Sequence, residues 1–322
     1  MKQGSASRRI VSFLPSATEM AFALGLGDQV VGVTHECDFP PEACGKPVVV
    51  RPVFAVETMT QAEIDAAVAA CVREGKSLYQ VDEAVLARAA PDLILTQDLC
   101  AVCAPAGGEI AAAFRVLDKP PEVLWMTPKT IDGVFENLSD LGRATGCEDR
   151  AERLIADGRQ RLARLRSRSA LAAHRPRVFC MEWMEPVYCS GHWVPELVEI
   201  AGGIDGLGRI GADSVRITWD EVLAYAPEVM IITPCGFHLD QAEAEARRLL
   251  DFPGWADLPA VRDGCVFVVD ASSYYARPGP RLVDGAELLA ALIHPDLFAW
   301  TGPEAFRPMG PPGTITVRRK AG

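Results

Sequence analysis

The sequence has no unbroken apolar run near the ~20 residues that a membrane-spanning helix needs, so we expect no membrane insertion. It also lacks a surplus of positive charge, because 32 Lys and Arg residues stand against 43 Asp and Glu residues for a net charge of -11. A nucleic-acid-binding surface needs a concentrated basic face. We therefore expect no nucleic-acid partner.

Several catalytic motifs are missing as well. There is no GxxxxGK[ST] phosphate loop, which disfavours nucleotide hydrolysis, and no GxSxG nucleophile motif. The segment 25–28 (GLGD) lies at the end of a predicted helix rather than between a strand and a helix, so it is not a dinucleotide fingerprint. No two carboxylates form a pair that suits general acid–base catalysis. These absences favour a binding protein over an enzyme.

The beginning of the chain superficially resembles a signal peptide, because basic residues precede the apolar segment 10–27. Pro15, Ser16 and Glu19 interrupt that segment, and residues 10–14 serve better as a first strand, with Ser16 as the N-cap of the helix that follows. Ten cysteines without an export signal indicate reduced thiols. We therefore expect a cytoplasmic protein.

What is present is typical of a soluble α/β protein. Hydrophobic residues make up 49% and charged residues 23% of 322 residues, which suggests two domains with ample cores. Short apolar runs alternate with segments of helical period, which predicts two Rossmann-like lobes with parallel-rich sheets. We predict an N-terminal lobe over 1–127, a helical connection over 128–175, a C-terminal lobe over 176–296 and an irregular tail over 297–322.

One long helix is predicted over residues 148–171, between the two lobes. Its apolar residues recur at helical spacing and form one stripe, at Ala151, Leu154, Ile155, Leu162 and Leu165. Acidic residues stand in its first turns and arginines towards its end, as the helix dipole favours. We expect this helix to join the lobes and to resist wide hinge closure, which would leave a ligand cleft between them largely preformed.

Thiols and imidazoles are concentrated where predicted strands end, the place where ligands collect in parallel sheets. Eight of the fifteen Cys and His residues lie in these loops. Such side chains bind zinc, iron and cobalt. We therefore predict a metal or a metal-bearing ligand, with metal ligands drawn from Cys37, Cys100, Cys103, Cys189, Cys235 and His238, and His192 as a candidate axial ligand.

Each of these signals has a plainer interpretation. Cys100 and Cys103 form a single CxxC with no partner at zinc-finger spacing, which equally fits a redox pair or two half-buried thiols. His192 equally fits a hydrogen-bonded structural histidine. The same loops carry large aromatic residues, which predict either apolar walls for a large planar ligand or local core. These aromatic residues are Trp183, Tyr188, Trp193, Phe237, Tyr274 and Tyr275.

Five segments, taken together and in order, resemble a known protein family. They read IVSFLPSATEMAFALGLGDQVVGVTHECDFPPEA, APDLILTQ, SGHWVPELVEIAGG, ITWDEVLAYAPEVMIIT and SSYYARPGPRLVDGAELLAAL. From about Arg9 to Pro295 the chain resembles the substrate-binding proteins of cobalamin and iron-siderophore ABC importers, most closely the cobalamin-binding type. Residues 54–80 and the CxxC depart from the pattern expected of that family.

The resemblance implies two α/β lobes joined by a single long helix, with the ligand held in a cleft between them. It implies an acidic residue on each lobe that meets arginines of a permease, at Glu83 and Asp220. It also implies ligand contacts, to which the strand-end aromatics Trp183 and Phe237 add apolar surface. The implied contacts are Pro15, Ser16, Thr18, His35, Glu36, Asp38, Gln97, Tyr188, His192, Trp193, Tyr274, Tyr275 and Arg277.

Our first hypothesis from the sequence is a binding protein for cobalamin or another corrinoid. The alternative is an enzyme on the same scaffold that uses a metal ion, an iron–sulfur cluster or a thiol redox pair. A third hypothesis is a binding protein for a ferric chelate.

Overall fold

A computed structural model describes residues 7–56, 59–97 and 114–309. The chain forms two compact units. The first contains the residues up to Arg159 together with Pro278–Pro280, and the second contains Gln160–Arg277 and the residues from Arg281 onwards. Each unit has its own six-stranded sheet with flanking helices, which confirms the predicted fold class of two α/β lobes with parallel-rich sheets.

The sheet of the first unit has the strand order β4-β3-β2-β1-β5-β6. Neighbouring strands in this sheet run parallel, except that β4 runs antiparallel to β3. The central strands are short apolar runs buried on both faces, as parallel strands require. The strands are β1 (Ile10–Ser12), β2 (Val30–Thr34), β3 (Val48–Pro52), β4 (Tyr79–Val81), β5 (Leu93–Thr96) and β6 (Glu122–Trp125).

Helices of the first unit mostly begin at side-chain caps. Thr60, Asp82 and Thr130 each accept a hydrogen bond from a backbone N–H of the first turn that follows. The predicted N-cap Ser16 is wrong, because Leu14 holds that position and Pro15 begins the helix, which leaves Ser16 buried within the first turn. The α-helices that the structure describes in full here are α1 (Pro15–Ala23), α2 (Gln61–Arg73), α3 (Glu83–Ala89) and α4 (Ile131–Thr145).

The long helix α5 spans Glu148–Ser169, close to its predicted bounds, and the boundary between the units falls within it. In the first unit, α5 lies so close to α4 that a Cβ added to Gly142 would stand 2.7 Å from the Cβ of Ala151. In the second unit, Arg161 donates to both carboxylate oxygens of Glu287 at 3.0 and 2.7 Å. The helix therefore contributes packing residues to both units.

The sheet of the second unit has the order β12-β11-β10-β7-β8, with β9 pairing with the beginning of β7. β8 and β12 run antiparallel to their neighbours, whereas β7, β10 and β11 are parallel. The strands are β7 (Arg177–Met184), β8 (Val187–Cys189), β9 (Ile204–Asp205), β10 (Val229–Ile232), β11 (Val266–Val269) and β12 (Phe306–Pro308).

Two sequence predictions fail in this sheet. The segment 184–193, predicted as a loop, contains β8, because a tight turn folds it back onto β7. The tail predicted to be irregular contains β12, which pairs with β11 through Phe306 opposite Val269. Neither segment is long or regular enough in its apolar pattern to be recognised without its sheet partner.

The helices of the second unit cover both faces of its sheet. They are α6 (Val194–Ile200), α7 (Trp219–Tyr225), α8 (Leu239–Ala246), α9 (Pro259–Arg262), α10 (Ala271–Tyr274) and α11 (Leu282–Ile293). On one face, Met181, Met230 and Val268 pack with apolar residues of α7 and α8 into a buried cluster, which we call the core cluster. Among the residues that the structure describes, no helix combines the length and apolarity needed to cross a bilayer.

Candidate functional site

The carboxyl ends of β7, β10 and β11 lie along one edge of the second sheet, because these strands are parallel neighbours. Loops that follow parallel strands at such an edge form the ligand site of open α/β sheets. The site is therefore built from the ends of β7 and β10 and from the segments that follow them.

A β-bulge reshapes the end of β7. Met181 pairs with Cys189 and Trp183 pairs with Tyr188, so Glu182 and Trp183 together stand opposite the single residue Tyr188. The residues on either side of the bulge are buried in the core cluster, whereas Glu182, Trp183 and Tyr188 are half-buried. The bulge thus turns two consecutive side chains to the face away from the core cluster, a common device beside binding sites.

Thr233 belongs to the same face. Ile232 is the partner of Met181 in the ladder and lies in the core cluster, so the next side chain along points to the opposite face. The backbone N–H of Thr233 donates to the carbonyl oxygen of Met181 at 2.9 Å and holds it in line with the sheet. We call Glu182, Trp183, Tyr188 and Thr233 the bulge face.

Two polar atoms of the bulge face lack partners. The indole Nε1 of Trp183 and the hydroxyl of Thr233 are buried and make no hydrogen bond with any described residue. Native proteins rarely leave such groups unpaired, so these two groups are available for hydrogen bonds to a ligand. The bulge face therefore has hydrogen-bonding capacity that the chain itself does not use.

The other contacts of the bulge face fix its geometry. Phe237, in the loop after β10, packs edge-on against Trp183 with ring centroids 5.7 Å apart. The hydroxyl of Ser214 donates a hydrogen bond to the carboxylate of Glu182. The guanidinium of Arg216 lies 5.9 Å from the ring centroid of Tyr188. Aromatic and polar groups are therefore interleaved on this surface.

Trp193 and Tyr275, both predicted ligand contacts, are buried and bonded within the second unit. The indole nitrogen of Trp193 donates to the carbonyl oxygen of Tyr275 at 2.7 Å, and the Tyr275 hydroxyl donates to the carbonyl oxygen of Gly285 at 3.1 Å. Burial raises the pKa of the Tyr275 phenol well above its usual range, so that phenol stays neutral. These positions favour support of the site over direct ligand contact. Tyr274 is also buried and packs edge-on against Trp300 at 5.6 Å.

The backbone around His192 is held in an unusual conformation. His192 has φ 53°, a left-handed conformation that is costly for a residue with a side chain. Its N–H donates to the carbonyl oxygen of Ala212 at 2.6 Å and its carbonyl accepts from the N–H of Gly211 at 2.9 Å. Its Nε2 lies 3.3 Å from a carboxylate oxygen of Asp213. The loop over residues 209–214 therefore fixes the imidazole, whose role as an axial ligand stays a prediction.

His238 and Asp270 connect the loops after β10 and β11. The Nδ1 atom of His238 lies 3.1 Å from Oδ1 of Asp270, and that oxygen also accepts a hydrogen bond from the N–H of Ser273. The other carboxylate oxygen, Oδ2, accepts from the Ser273 hydroxyl. Burial raises the pKa of the Asp270 carboxyl, but hydrogen bonds from His238 and Ser273 outweigh burial and leave that pKa below its usual value. His238 thus has a structural anion partner. Arg277, a predicted ligand contact, is half-buried a few residues further on.

In the first unit, the segments after β1 and β2 meet around Cys37. Its sulfur lies 3.0 Å from the hydroxyl oxygen of Thr18 and 3.4 Å from that of Thr34. Pro15, Ser16 and Thr18 are all buried at the beginning of α1. The predicted metal ligand Cys37 is therefore buried among hydroxyl groups.

The turn after β2 also carries predicted ligand contacts. Nδ1 of His35 is buried and makes no hydrogen bond with any described residue, while its Nε2 lies 3.9 Å from a carboxylate oxygen of Glu36. Asp38 is half-buried in this turn, and Gln97, which follows β5, is buried. The strand ends of this unit thus place the predicted polar residues near the sheet edge.

The predicted metal ligands that are described do not assemble. Across residues 7–56, 59–97 and 114–309, no three Cys, His, Asp or Glu side chains form a group that fits a metal ion. The Cys189 thiol donates to the carbonyl oxygen of Val215 at 3.5 Å, and burial raises its pKa. Cys235 is half-buried in the loop after β10. Cys100 and Cys103 lie outside the described residues, so their role as metal ligands stays a prediction.

The two predicted partner-contact residues are both exposed in the first turn of a short helix. Glu83 begins α3, and Asp82 caps that helix by accepting from the N–H of Val85 at 2.9 Å. Asp220 is the second residue of α7, which begins with a capping box between Thr218 and Glu221. Each acidic side chain therefore projects from a firmly capped helix end.

Sequence reasoning missed Glu182, Ser214 and Thr233 as site residues. The available signal was a polar residue directly after an apolar strand, as in FCME and MIIT. That signal is weak, because it does not indicate which face of the sheet a side chain takes, and the bulge decides this for Glu182.

Residues 10–272 match the model of the periplasmic binding protein family. Among similar proteins, the vitamin B12-binding protein of Vibrio cholerae is 25% identical over 291 residues, which covers 89% of each chain. An uncharacterised ABC transporter substrate-binding lipoprotein of Bacillus subtilis is 26% identical over 300 residues, which covers 90% of this chain and 81% of the lipoprotein.

Three solved structures show the same fold. The periplasmic vitamin B12-binding protein of Vibrio cholerae superimposes with a TM-score of 0.62 at 24% identity and covers 89% of this chain and 96% of that one. A periplasmic heme-binding protein of Pseudomonas aeruginosa gives a TM-score of 0.69 at 22% identity, covering 90% and 94%. A protein of the Fe3+-hydroxamate transport system of Saccharomonospora viridis gives a TM-score of 0.61 at 22% identity, covering 89% of this chain and 93% of that one.

Proposed function

Because this chain belongs to the periplasmic binding protein family of ABC-importer substrate-binding proteins, we propose that it binds a corrinoid at the carboxyl ends of its strands. The observation that carries the proposal is the bulge face, where aromatic rings stand beside two buried polar atoms without partners. A corrinoid is a large planar ring with polar groups around its edge, and it needs this combination of surfaces. The vitamin B12-binding relatives, similar over most of their length, support the same ligand.

The ring contacts fall to three aromatic residues. Trp183, Tyr188 and Phe237 are half-buried, so each has surface left for a ligand. The edge-on packing of Trp183 and Phe237 holds both rings in fixed orientations before any ligand binds. Preorganised aromatic side chains bind a rigid macrocycle at low entropic cost.

Titration of the purified full chain with cyanocobalamin and hydroxocobalamin, followed by visible absorbance, tests the proposal. We expect saturable binding, with a further spectral change for hydroxocobalamin if the His192 imidazole reaches cobalt. Parallel titrations with heme and a ferric hydroxamate address the other ligands named for relatives. Absence of corrinoid binding at micromolar concentrations overturns the proposal, and metal analysis of the anaerobically purified protein addresses the metal and iron–sulfur enzyme hypothesis.

We also propose an ABC permease as partner, through Glu83 and Asp220. Both carboxylates are exposed at capped helix ends, and a carboxylate at a helix N-terminus is stabilised by the helix dipole. The double variant Glu83→Lys, Asp220→Lys should lose uptake or pull-down with the permease and keep ligand affinity. Unchanged association would remove these residues from the interface.

The cytoplasmic location predicted from cysteine content remains a proposal. Fractionation of cells that express the natural gene, with detection of the protein in cytosol and envelope, tests it. Recovery in the envelope fraction would overturn the location without affecting the ligand proposal.

A further inference from the structure

We infer that the bulge face selects ligands whose edge carries neutral amide groups and rejects those whose edge carries carboxylates. The inference deepens the proposed function, since it concerns the same site. It distinguishes corrinoids, whose ring edge carries primary amides, from heme, whose edge carries two propionates.

The hydrogen-bonding groups of the bulge face suit an amide. A primary amide offers a carbonyl oxygen that accepts and an NH2 group that donates, so it needs both kinds of partner. The Trp183 indole is a donor only, the Glu182 carboxylate accepts, and the Thr233 hydroxyl does either. The unpartnered Trp183 and Thr233 atoms thus complement an amide beside Glu182.

The fold holds these three groups together. The bulge puts Glu182 and Trp183 on one face, and the ladder between β7 and β10 places Thr233 directly beyond the Met181–Ile232 pair on the same face. The hydrogen bond from Ser214 orients the Glu182 carboxylate. All three groups are therefore in place before a ligand arrives.

The electrostatic surroundings disfavour a carboxylate. The Glu182 carboxylate lies on the bulge face, where the Ser214 hydroxyl donates a hydrogen bond to it. A ligand carboxylate placed beside it would therefore meet like charge. Arg216 is the group here that would instead attract a carboxylate, and its guanidinium lies over the Tyr188 ring.

Two pairs of probes separate the amide preference from the corrinoid proposal. Cobinamide and cobyrinic acid share a corrin ring and differ in carrying amides or carboxylates. Heme and its diamide form the same contrast on a porphyrin. We expect the wild-type chain to bind cobinamide at least about tenfold more tightly than cobyrinic acid, the effect of placing like charges together in a partly buried site.

Variants assign the preference to residues. Glu182→Gln should keep cobinamide affinity within about threefold and tighten cobyrinic acid binding, because the amide side chain still accepts but no longer repels. Thr233→Val, which nearly preserves shape, should weaken cobinamide several-fold and leave the melting temperature almost unchanged. Arg216→Gln should widen the ratio in favour of cobinamide, because it removes a positive charge beside the bulge face that would attract a ligand carboxylate.

Each outcome supports or overturns the inference. Equal binding of cobinamide and cobyrinic acid, or a ratio that Glu182→Gln does not change, overturns it while the corrinoid proposal stands. Binding of heme diamide over heme, without any corrinoid binding, overturns the corrinoid proposal and supports the amide preference. Preference for heme over its diamide overturns the amide preference, and no binding of any probe overturns both.

Discussion

Arg9 and Arg177 make equivalent hydrogen bonds in the two units. Each arginine stands at the beginning of its unit's first strand and donates through Nε and Nη2 to the last carbonyl oxygens of a short helix, α3 or α7. Its backbone N–H donates to the carboxylate of Asp92 in the first unit and of Glu228 in the second. Both helices end in an alanine in the left-handed conformation, Ala90 or Ala226.

The repeated arrangement fixes the two helices that carry Glu83 and Asp220. A guanidinium at a helix C-terminus satisfies unpaired carbonyls and complements the dipole. The same device therefore orients the proposed partner-contact residue of each unit from the opposite end of its helix.

Replacing either arginine should destabilise its own unit. Arg9→Met and Arg177→Met each keep the aliphatic stem and remove hydrogen bonds to carbonyl oxygens, so we expect a loss of about 1–2 kcal/mol in the free energy of unfolding. Urea denaturation followed by circular dichroism measures this. Arg164→Met, at an exposed position of α5, is the control and should change stability by less than about 0.5 kcal/mol. Equal effects at all three positions would contradict the helix-end role.

Glu228 should give the second unit a pH-dependent stability. The backbone N–H of Arg177 lowers the pKa of the Glu228 carboxyl, burial partly opposes this, and a hydrogen bond from His174 lowers it further. A carboxyl whose pKa is lowered by folding contributes stability above its unfolded pKa of about 4.3, and that contribution is lost as pH falls towards its folded pKa.

The variant Glu228→Gln tests this sign. The melting temperature of the wild type should exceed that of the variant near pH 6, and the difference should shrink between about pH 5 and pH 3. A constant difference over this range would show that hydrogen-bond geometry, and not ionisation, accounts for the contribution of Glu228.

Trp183 should affect ligand affinity more than stability. Trp183→Phe keeps a ring against Phe237 but removes the indole N–H that has no partner among the described residues, so folding loses no hydrogen bond. If the ligand uses that N–H, affinity for cobinamide should fall by about tenfold, the value of roughly one hydrogen bond. Fluorescence titration measures the affinity and a thermal scan the stability.

Trp219→Phe is the matched control. The Trp219 indole donates to the carbonyl oxygen of Pro253 at 2.7 Å and packs against Trp255, beside the core cluster. It should lower the melting temperature and leave cobinamide affinity unchanged. The reverse pattern for the two variants would move the ligand away from the bulge face.

The sequence predicts the order of strands and helices well because each central strand is a short apolar run and each long helix has a regular stripe. It predicts the site less well. The face of the sheet that the Glu182 side chain takes depends on a bulge, and the bulge forms only because β8 pairs with β7. The sequence predicts a loop where β8 lies. Cys37 has the residue type of a metal ligand, yet its sulfur lies beside the hydroxyl of Thr34 in its own turn and beside that of Thr18, which β1 brings close because β1 pairs with β2. Strand pairing therefore determines which face Glu182 takes and brings Thr18 beside the Cys37 sulfur, and residue type determines neither.

A substitution at Trp193 distinguishes two roles for this residue. Its burial favours support of the site, whereas its position in a strand-end loop predicts direct ligand contact. The buried indole donates to the carbonyl oxygen of Tyr275, so Trp193→Phe leaves a buried acceptor unpaired and should cost about 1–3 kcal/mol in the free energy of unfolding. Cobinamide affinity, measured well below the melting temperature, should change less than about twofold, because the ring that remains preserves most of the packing. Trp300→Phe is the control, since that indole bonds to the carbonyl oxygen of Pro303 near the surface and its loss should cost less. A large loss of affinity with unchanged stability in Trp193→Phe would instead make Trp193 a direct ligand contact, and the ligand would then extend from the bulge face towards α6.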